Sequence, residues 1–287
     1  MDLDGFLWAR ARRLPFVVSL KGVIADELRN ESGLTRALLS MQARWERLNA
    51  RRADVVIAPS RYSADVARRE YGVAAQQIVV VPEPIELERW TALFAAAAPR
   101  PRGGPAILCV ARMYPRKRIG DLLEASARLR RRIPGARVRI VGKGPEWEDV
   151  VRLHGTLGLG ETVALLGDVS RERLAEEYVG ADIFCLPSVQ ESFGIVFLEA
   201  MAAGLPVVAC RAAAIPEVVE DGVTGLLVPP RDPAGLAGAL EALAADPGRA
   251  RAMGDAGRRR VAAYTPERVA ARFLEAVRLC LEGGRSR

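Results

Sequence analysis

Two carboxylates, Glu191 and Glu199, lie eight residues apart in the chain, separated by a glycine and an apolar run. Glu199 falls within residues 195–203, which otherwise have the composition of a buried helix. A carboxylate in apolar surroundings is costly unless a hydrogen-bond donor satisfies it. The spacing therefore indicates a polyhydroxylated ligand that donates hydrogen bonds to both acids.

A basic loop at residues 112–118 offers the opposite charge. It follows a predicted strand and contains Arg112 and Lys117. A guanidinium pairs with phosphate in a bidentate manner and an ammonium acts as a point charge, so the two could clamp a diphosphate. The alternative interpretation is an ordinary basic turn in contact with solvent.

Two glycine turns have the form of phosphate or nucleotide contacts. Gly194 and Ile195 open a predicted helix, where backbone N–H groups can bind phosphate oxygens, although an ordinary helix cap explains the same residues. Gly142 and Lys143 follow another predicted strand and form only a fragment of a dinucleotide fingerprint. Trp147 stands where the third glycine would be, which argues against NAD.

Short apolar runs alternate with amphipathic helical patterns and indicate an α/β protein with a parallel sheet covered on both faces. The predicted helices include residues 119–133, 146–157, 171–179 and 195–204. The predicted strands are residues 16–20, 54–58, 78–81, 106–111, 137–142, 162–167, 182–186, 206–210 and 225–228. The last six predict a complete doubly wound, Rossmann-like domain, which binds ligands outside the carboxyl ends of its strands.

A Pro- and Gly-rich segment at residues 95–104 predicts an interdomain linker. It divides the chain into a partial N-terminal α/β domain at residues 1–98 and a C-terminal domain at residues 99–265. Residues 266–287 form a last helix that could pack back on the N-terminal part. Only three strands precede the linker, which is short for an independent α/β domain.

Composition narrows the function classes. The chain has 287 residues, a net charge of +7 and no apolar run of the roughly 20 residues that span a bilayer. Its arginine clusters lack the aromatic residues of an RNA-binding surface, so nucleic acid is not expected as a partner. The four cysteines and the single His154 have no metal-ligand spacing, which favours reduced core thiols in a cytoplasmic protein. The charge and residues 44–47 (RWER) suggest peripheral contact with an anionic membrane at its inner face.

Several motifs in one order resemble the family 4 group of GT-B retaining glycosyltransferases. The segment ESFGIVFLE at residues 191–199 is similar to the family's E-x7-E motif, and VAR at 110–112 with Lys117 is similar to its GR…K loop. VGKGP at 141–145 resembles its GxGP turn. AMAAGLPVV at 200–208 and PEVVEDGVTGLLV at 216–228 resemble the two segments that follow in the family. The match spans residues 106–228, and a fainter one extends back to about residue 15.

The resemblance implies a GT-B fold, in which residues 1–98 would be the acceptor side and residues 99–265 the donor-binding domain. It also implies transfer of a sugar from a nucleotide diphosphate-sugar to a hydroxyl of a glycan, a lipid or a small molecule. Arg112 and Lys117 would hold the diphosphate, Glu191 the sugar hydroxyls and Glu199 the ribose. The remaining donor-binding residues implied are Gly142, Lys143, Val169, Phe193, Gly194 and Ile195. Retention would follow front-face attack by the acceptor, so neither a protein nucleophile, a cofactor nor a metal ion is expected.

The chain departs from the family at three places. Lys21 stands where many relatives carry a histidine, and it could act as a catalytic cation near the sugar. Residues 212–214 are alanines where relatives often have two glycines. The first half of the expected N-terminal domain has no counterpart, so a second chain could supply it. The alternative functions are a non-catalytic or partner-dependent nucleotide-sugar-binding module and, less favoured, a nucleotide-sugar epimerase.

Overall fold

The computed structural model describes residues 14–98 and 103–284. Contacts between Cα atoms divide the chain into two compact units. The N-terminal unit comprises Met1–Pro84 together with Pro266–Arg287, and the C-terminal unit comprises Ile85–Thr265. Within the described ranges, no helix is both long and apolar enough to cross a membrane.

Strands and helices alternate along the chain, as the apolar runs predict. The strands are β1 (Val17–Ser19), β2 (Val55–Ala58), β3 (Ile78–Val80), β4 (Ala106–Val110), β5 (Arg137–Val141), β6 (Val163–Gly167), β7 (Ile183–Leu186), β8 (Val207–Cys210) and β9 (Gly225–Val228). The α-helices are α1 (Ile24–Glu27), α2 (Gly33–Arg52), α3 (Arg61–Val66), α4 (Leu87–Ala96), α5 (Ile119–Arg132), α6 (Trp147–Thr156), α7 (Arg171–Val179), α8 (Ile195–Ala202), α9 (Ile215–Val218), α10 (Pro233–Ala245), α11 (Pro247–Val261) and α12 (Pro266–Gly284).

The C-terminal unit contains a six-stranded parallel sheet in the order β6-β5-β4-β7-β8-β9. The chain moves outward from β4 to β6 and then returns beside β4 to start β7, so the strand order reverses between these two neighbours. In an open α/β sheet, that reversal opens a crevice outside the carboxyl ends of the two strands. The predicted Rossmann-like domain is therefore confirmed, and β4 and β7 fix where its ligand crevice lies.

Burial explains why the central strands have no alternation of polar and apolar residues. Every residue of β7 and β8 is buried, as expected for strands covered on both faces. Helix α5 packs against α10, and α8 packs against α11. The continuous apolar runs that predicted these strands thus reflect a core in contact with both sides of the sheet.

Helix α4 belongs to the C-terminal unit, although the composition placed the end of the N-terminal domain at residue 98. Trp90 and Phe94 of α4 contact the ring of Tyr178 in α7 edge-on, with centroid distances of 5.6 and 6.0 Å. The division between the units accordingly falls between Pro84 and Ile85. An amphipathic pattern predicts a helix but does not indicate which core its apolar face joins.

The N-terminal unit has a three-stranded parallel sheet in the order β1-β2-β3. One cluster of buried apolar residues lies around Ala50 and Tyr71. A second forms where Val269, Ala276 and Cys280 of α12 pack on residues of β2 and on Val81. The final helix, which is remote in sequence, thereby completes the core of the first unit.

Candidate active site

The loops that follow β4, β5, β6 and β7 are joined by backbone hydrogen bonds at one edge of the C-terminal sheet. The loop after β4 donates from Met113 N to Lys143 O at 3.1 Å. Gly142 N donates to Gly167 O at 2.8 Å, and Val189 N donates to Arg116 O at 2.9 Å. These bonds bring the four loops together, so the site residues remote in sequence share one rigid frame.

Gly142 allows the first two of these loops to approach each other. Its φ is +110°, a conformation that residues with a side chain rarely adopt. A Cβ atom at this position would lie 2.2 Å from Ala111 O. The glycine turn is therefore required by the close packing of backbone on backbone.

Lys117 and Glu191 form an ion pair at the crevice between β4 and β7. Lys117 Nζ donates to Glu191 Oε1 at 2.5 Å, and the two side chains are only 13% and 10% exposed. Ser188 Oγ donates to Arg116 O at 3.2 Å, which fixes the lysine-bearing turn to the loop that carries the glutamate. From the sequence, Lys117 is expected to bind the diphosphate and Glu191 the sugar hydroxyls. The sequence does not predict that the two side chains contact each other directly.

Arg112 provides a second positive charge in the loop that also carries Lys117. It is exposed, and its guanidinium carbon lies 5.9 Å from the centre of the Tyr114 ring. Arg116 approaches the same ring at 4.6 Å. In the part of the chain that the structure describes, Arg112 forms no salt bridge with a carboxylate, so its charge is available to an anionic ligand.

Gly194 starts α8 with a φ of +92°. A Cβ atom there would lie 2.6 Å from the ring of Phe197, so this turn into the helix also depends on glycine. Ile195 is exposed, whereas Phe193 is buried with its ring 5.6 Å from that of Tyr264. Phe193 can therefore contribute to a ligand site through its backbone, because its side chain packs in the core.

Glu199 lies within α8 and has a buried partner. Tyr178 OH donates to Glu199 Oε2 at 2.9 Å. Burial raises the pKa of Glu199 above its ordinary value, while the hydrogen bond from Tyr178 and the charge of Arg171 act in the opposite direction. The sequence detected a carboxylate that needs a donor, but it did not identify the tyrosine, which lies in another helix.

Lys143 lies at the β5 side of the site. Its N–H donates to Asp168 Oδ1 at 3.0 Å, and its Nζ lies 5.0 Å from the centre of the Trp147 ring. The lysine side chain also passes over Gly167, where a Cβ atom would be 2.9 Å from Lys143 Cε. Val169 follows on the same loop and is half-buried. This side of the site presents a flat, partly apolar surface.

Lys21 belongs to the N-terminal unit. Its Nζ donates to both carboxylate oxygens of Glu83, each at 3.0 Å. The lysine side chain is 74% exposed and that of the glutamate 15%. The cation predicted to replace a histidine is thus ion-paired within its own unit.

The cysteines of the C-terminal unit are core residues. Cys109, Cys185 and Cys210 lie on neighbouring strands and are buried. Burial raises the pKa of Cys109 and of Cys210 to about 12, so both thiols stay protonated near neutral pH. Across residues 14–98 and 103–284, no three His, Cys, Asp or Glu side chains are grouped to hold a metal ion.

Two solved structures share this architecture. Sucrose-phosphate synthase from Thermosynechococcus elongatus superposes with a TM-score of 0.79 at 28% identity, over 98% of this chain and 72% of that one. Anabaena Alr3699/HepE, solved in complex with UDP-glucose, gives 0.78 at 21% identity over 97% and 75%, which shows the fold alone. The fold is that of a GT-B glycosyltransferase.

The chain belongs to the glycosyl transferases group 1 family, whose model matches residues 94–260. Residues 2–89 match the Glycosyltransferase Family 4 model. A GDP-mannose-dependent alpha-(1-6)-phosphatidylinositol monomannoside mannosyltransferase from Mycolicibacterium smegmatis is 38% identical over 72% of this chain and 57% of its own length. A D-inositol 3-phosphate glycosyltransferase from Nocardia farcinica is 37% identical over 70% and 47%. The chain thus spans about half the length of these curated relatives.

Proposed function

We propose that this chain contains the donor site of a retaining glycosyltransferase, which moves a sugar from a nucleotide diphosphate-sugar to an acceptor hydroxyl. The observation that carries the proposal is the Lys117–Glu191 pair in the crevice, with the exposed charge of Arg112 on the same loop as Lys117. Cations suit a diphosphate, and a carboxylate suits sugar hydroxyls. Both lie where a doubly wound sheet binds its ligand.

The proposed roles follow from where charge develops. The glycosidic C–O bond breaks with its electron pair going to the diphosphate oxygen, and Arg112 and Lys117 neutralise that charge. The acceptor hydroxyl attacks the same face of the sugar, and its proton passes to the departing diphosphate. Glu191 holds sugar hydroxyls, Glu199 accepts hydrogen bonds from the ribose diol, and Gly194 with Ile195 supplies backbone N–H donors. Retention by this route requires no protein nucleophile.

We also propose that the reaction needs no metal ion. Mg²⁺ in other phosphate-transferring sites neutralises a diphosphate and its developing charge. Here Arg112 and Lys117 supply two positive charges at the corresponding place. The donor-binding surface beside Lys143 and Val169 is proposed to receive the nucleotide base.

The relatives suggest where to begin the search for substrates. One is named for GDP-mannose and for a phosphatidylinositol mannoside, and the other for an inositol phosphate. We therefore propose a hexose donor and a polyol acceptor, either free or attached to a lipid. GDP-mannose and UDP-glucose are the first donors to assay.

A surface on α2 supports the proposal of membrane contact. Apolar side chains recur along one face and are exposed to solvent: Leu34, Leu38, Met41 and Trp45. Arg44, Arg47 and Arg51 are exposed on the same helix. Glu46 is buried, where it accepts hydrogen bonds from Ile24 N and Tyr71 OH, so it adds no exposed negative charge. An apolar stripe flanked by arginines suits an anionic lipid surface.

Two measurements on the purified chain test the donor site. Calorimetric titration with GDP-mannose, UDP-glucose and the ADP-sugars should find one donor that binds, and Arg112→Ala should weaken that binding by about tenfold or more. Donor hydrolysis or transfer to added inositol should then give turnover with retained anomeric configuration. Donor binding without turnover would favour the binding-module alternative, and an Arg112→Ala variant with unchanged affinity would reject the assigned site.

A further inference from the structure

We propose that Tyr178 is a positioning residue, which holds Glu199 in the orientation that receives the ribose diol of the donor. This inference rests on the proposed function, because it assumes that Glu199 contacts ribose. It adds a residue outside the motifs that predicted the site.

The tyrosine hydroxyl has a fixed position. Tyr178 is fully buried, and its ring is stacked on Phe184 at 6.1 Å and contacted edge-on by Trp90 at 5.6 Å. Close packing of this kind leaves the ring one orientation. Its hydroxyl group therefore donates to Glu199 Oε2, at 2.9 Å, from a position fixed by the packing of the ring.

The hydrogen bond from Tyr178 uses only part of the hydrogen-bond accepting capacity of the Glu199 carboxylate. An ionised carboxylate has two oxygens and about four lone-pair sites. Tyr178 occupies one site on Oε2, and the remaining sites are left for a ligand. Two adjacent ribose hydroxyls need two acceptor positions at a fixed separation, which a carboxylate with a locked side-chain rotamer offers without an entropic cost on binding.

The same hydrogen bond favours the charged form of the carboxylate. Burial raises the pKa of Glu199, whereas donation by Tyr178 and the positive charge of Arg171 lower it. Arg171 is itself paired with Glu86 at 3.1 Å. Arg258 of α11 donates to Ala203 O, just beyond the end of α8, and Cys109 of β4 acts on Tyr178. Tyr178 is therefore a neutral donor that offsets part of the rise in the pKa of Glu199 caused by burial.

The variant Tyr178→Phe removes the hydroxyl and keeps the ring with its aromatic contacts. The probe is whichever of UDP, GDP and ADP binds the wild-type chain, titrated beside its 2′,3′-dideoxy counterpart between pH 5 and 8. We expect the ribonucleotide to bind about five- to tenfold more weakly to the variant, as for loss of one charge-assisted hydrogen bond. The dideoxy counterpart should bind both proteins equally.

The pH profile gives a second readout that a purely structural role would not move. Loss of the hydroxyl removes an interaction that lowers the pKa of Glu199, so its pKa rises. As pH falls, the variant should lose ribonucleotide affinity at a higher pH than the wild type, because its carboxylate is protonated sooner. A matched control is Tyr71→Phe, which removes a tyrosine–glutamate bond, to Glu46, in the N-terminal unit. It should lower thermal stability and leave nucleotide affinity unchanged.

Glu199→Gln is a second variant, which keeps Tyr178 and removes the charge that the tyrosine is proposed to orient. This variant should also lose the preference for ribonucleotide over dideoxynucleotide, and adding Tyr178→Phe to it should change binding little, since the two act as one unit. A wild type that binds none of the three nucleotides would overturn the proposed function and this inference together. A wild type that binds, with Tyr178→Phe affecting both nucleotide forms equally or neither, would overturn the role of Tyr178 alone.

Discussion

Removing a residue that contacts a ligand usually weakens binding, but the Lys117–Glu191 ion pair predicts tighter binding of one ligand when Glu191 is changed. In this structure, the lysine proposed for the diphosphate pairs with the glutamate proposed for the sugar, at 2.5 Å. A diphosphate that takes Lys117 must first separate the pair. The variant Glu191→Gln should therefore bind a nucleoside diphosphate without sugar more tightly than the wild type does.

The magnitude follows from the burial of both side chains. A hydrogen bond to a charged group contributes about 1.5–3 kcal/mol, and a neutral acceptor about half as much. Glutamine still accepts from Lys117, so the variant needs roughly 1 kcal/mol less to release it. This difference corresponds to about a fivefold gain in affinity for the nucleoside diphosphate. The loss of a negative charge near the diphosphate should increase the affinity further. The intact nucleotide-sugar should lose its advantage over the nucleotide, because the contact to the sugar is weakened.

The assay is calorimetric titration of wild type and Glu191→Gln with the nucleoside diphosphate and with its sugar conjugate, in parallel with sugar transfer. Glu161→Gln is the matched control, since Glu161 is an exposed glutamate just before β6 and its loss changes the net charge equally. Turnover of Glu191→Gln should fall about 100-fold or more. A folded variant that binds the nucleoside diphosphate as the wild type does, or more weakly, would refute the competition for Lys117.

Three further outcomes are expected. Gly142→Ala should destabilise the C-terminal unit by about 2–4 kcal/mol, because the φ of Gly142 is positive and the added Cβ atom would clash with Ala111 O. The control is Gly160→Ala, which should change the melting temperature little because a Cβ atom at Gly160 meets open space. Transfer should survive EDTA, and a loss of turnover that Mg²⁺ restores would contradict the assignment of the diphosphate to protein cations. At low salt, the chain should sediment with vesicles that contain phosphatidylglycerol, and the Trp45→Ser variant should sediment with them less. Equal sedimentation with pure phosphatidylcholine vesicles would argue for another occupant of the α2 surface.

The fold class could be read from the sequence because buried parallel strands must be apolar at every position. The predicted strand at residues 182–186 became β7, whose residues are all buried. The division between the units is harder to predict. Helix α4 has an apolar face whose pattern is the same whichever unit it joins, and only the rings of Trp90 and Phe94 against Tyr178 show where it packs.

Motif spacing indicated which residues to group at the site, and the structure added their partners. Glu191, Arg112 and Lys117 share one end of the sheet because each follows a parallel strand, a consequence of topology that the strand pattern already contains. The pairing of Lys117 with Glu191 depends on side-chain distances across 74 residues of sequence. The same holds for the burial of Phe193, whose neighbour Tyr264 lies far along the chain.

The sequence by itself determined the fold class, the family and the edge of the sheet where chemistry is expected, since apolar periodicity and motif order are properties of the linear chain. Only the tertiary structure decided how the charges are satisfied. It pairs Glu191 with a lysine and Glu199 with a tyrosine, and it pairs Lys21 with Glu83. The physical reason is that hydrogen bonds and ion pairs act over about 3 Å. Whether two residues meet at that distance depends on how the helices and loops pack.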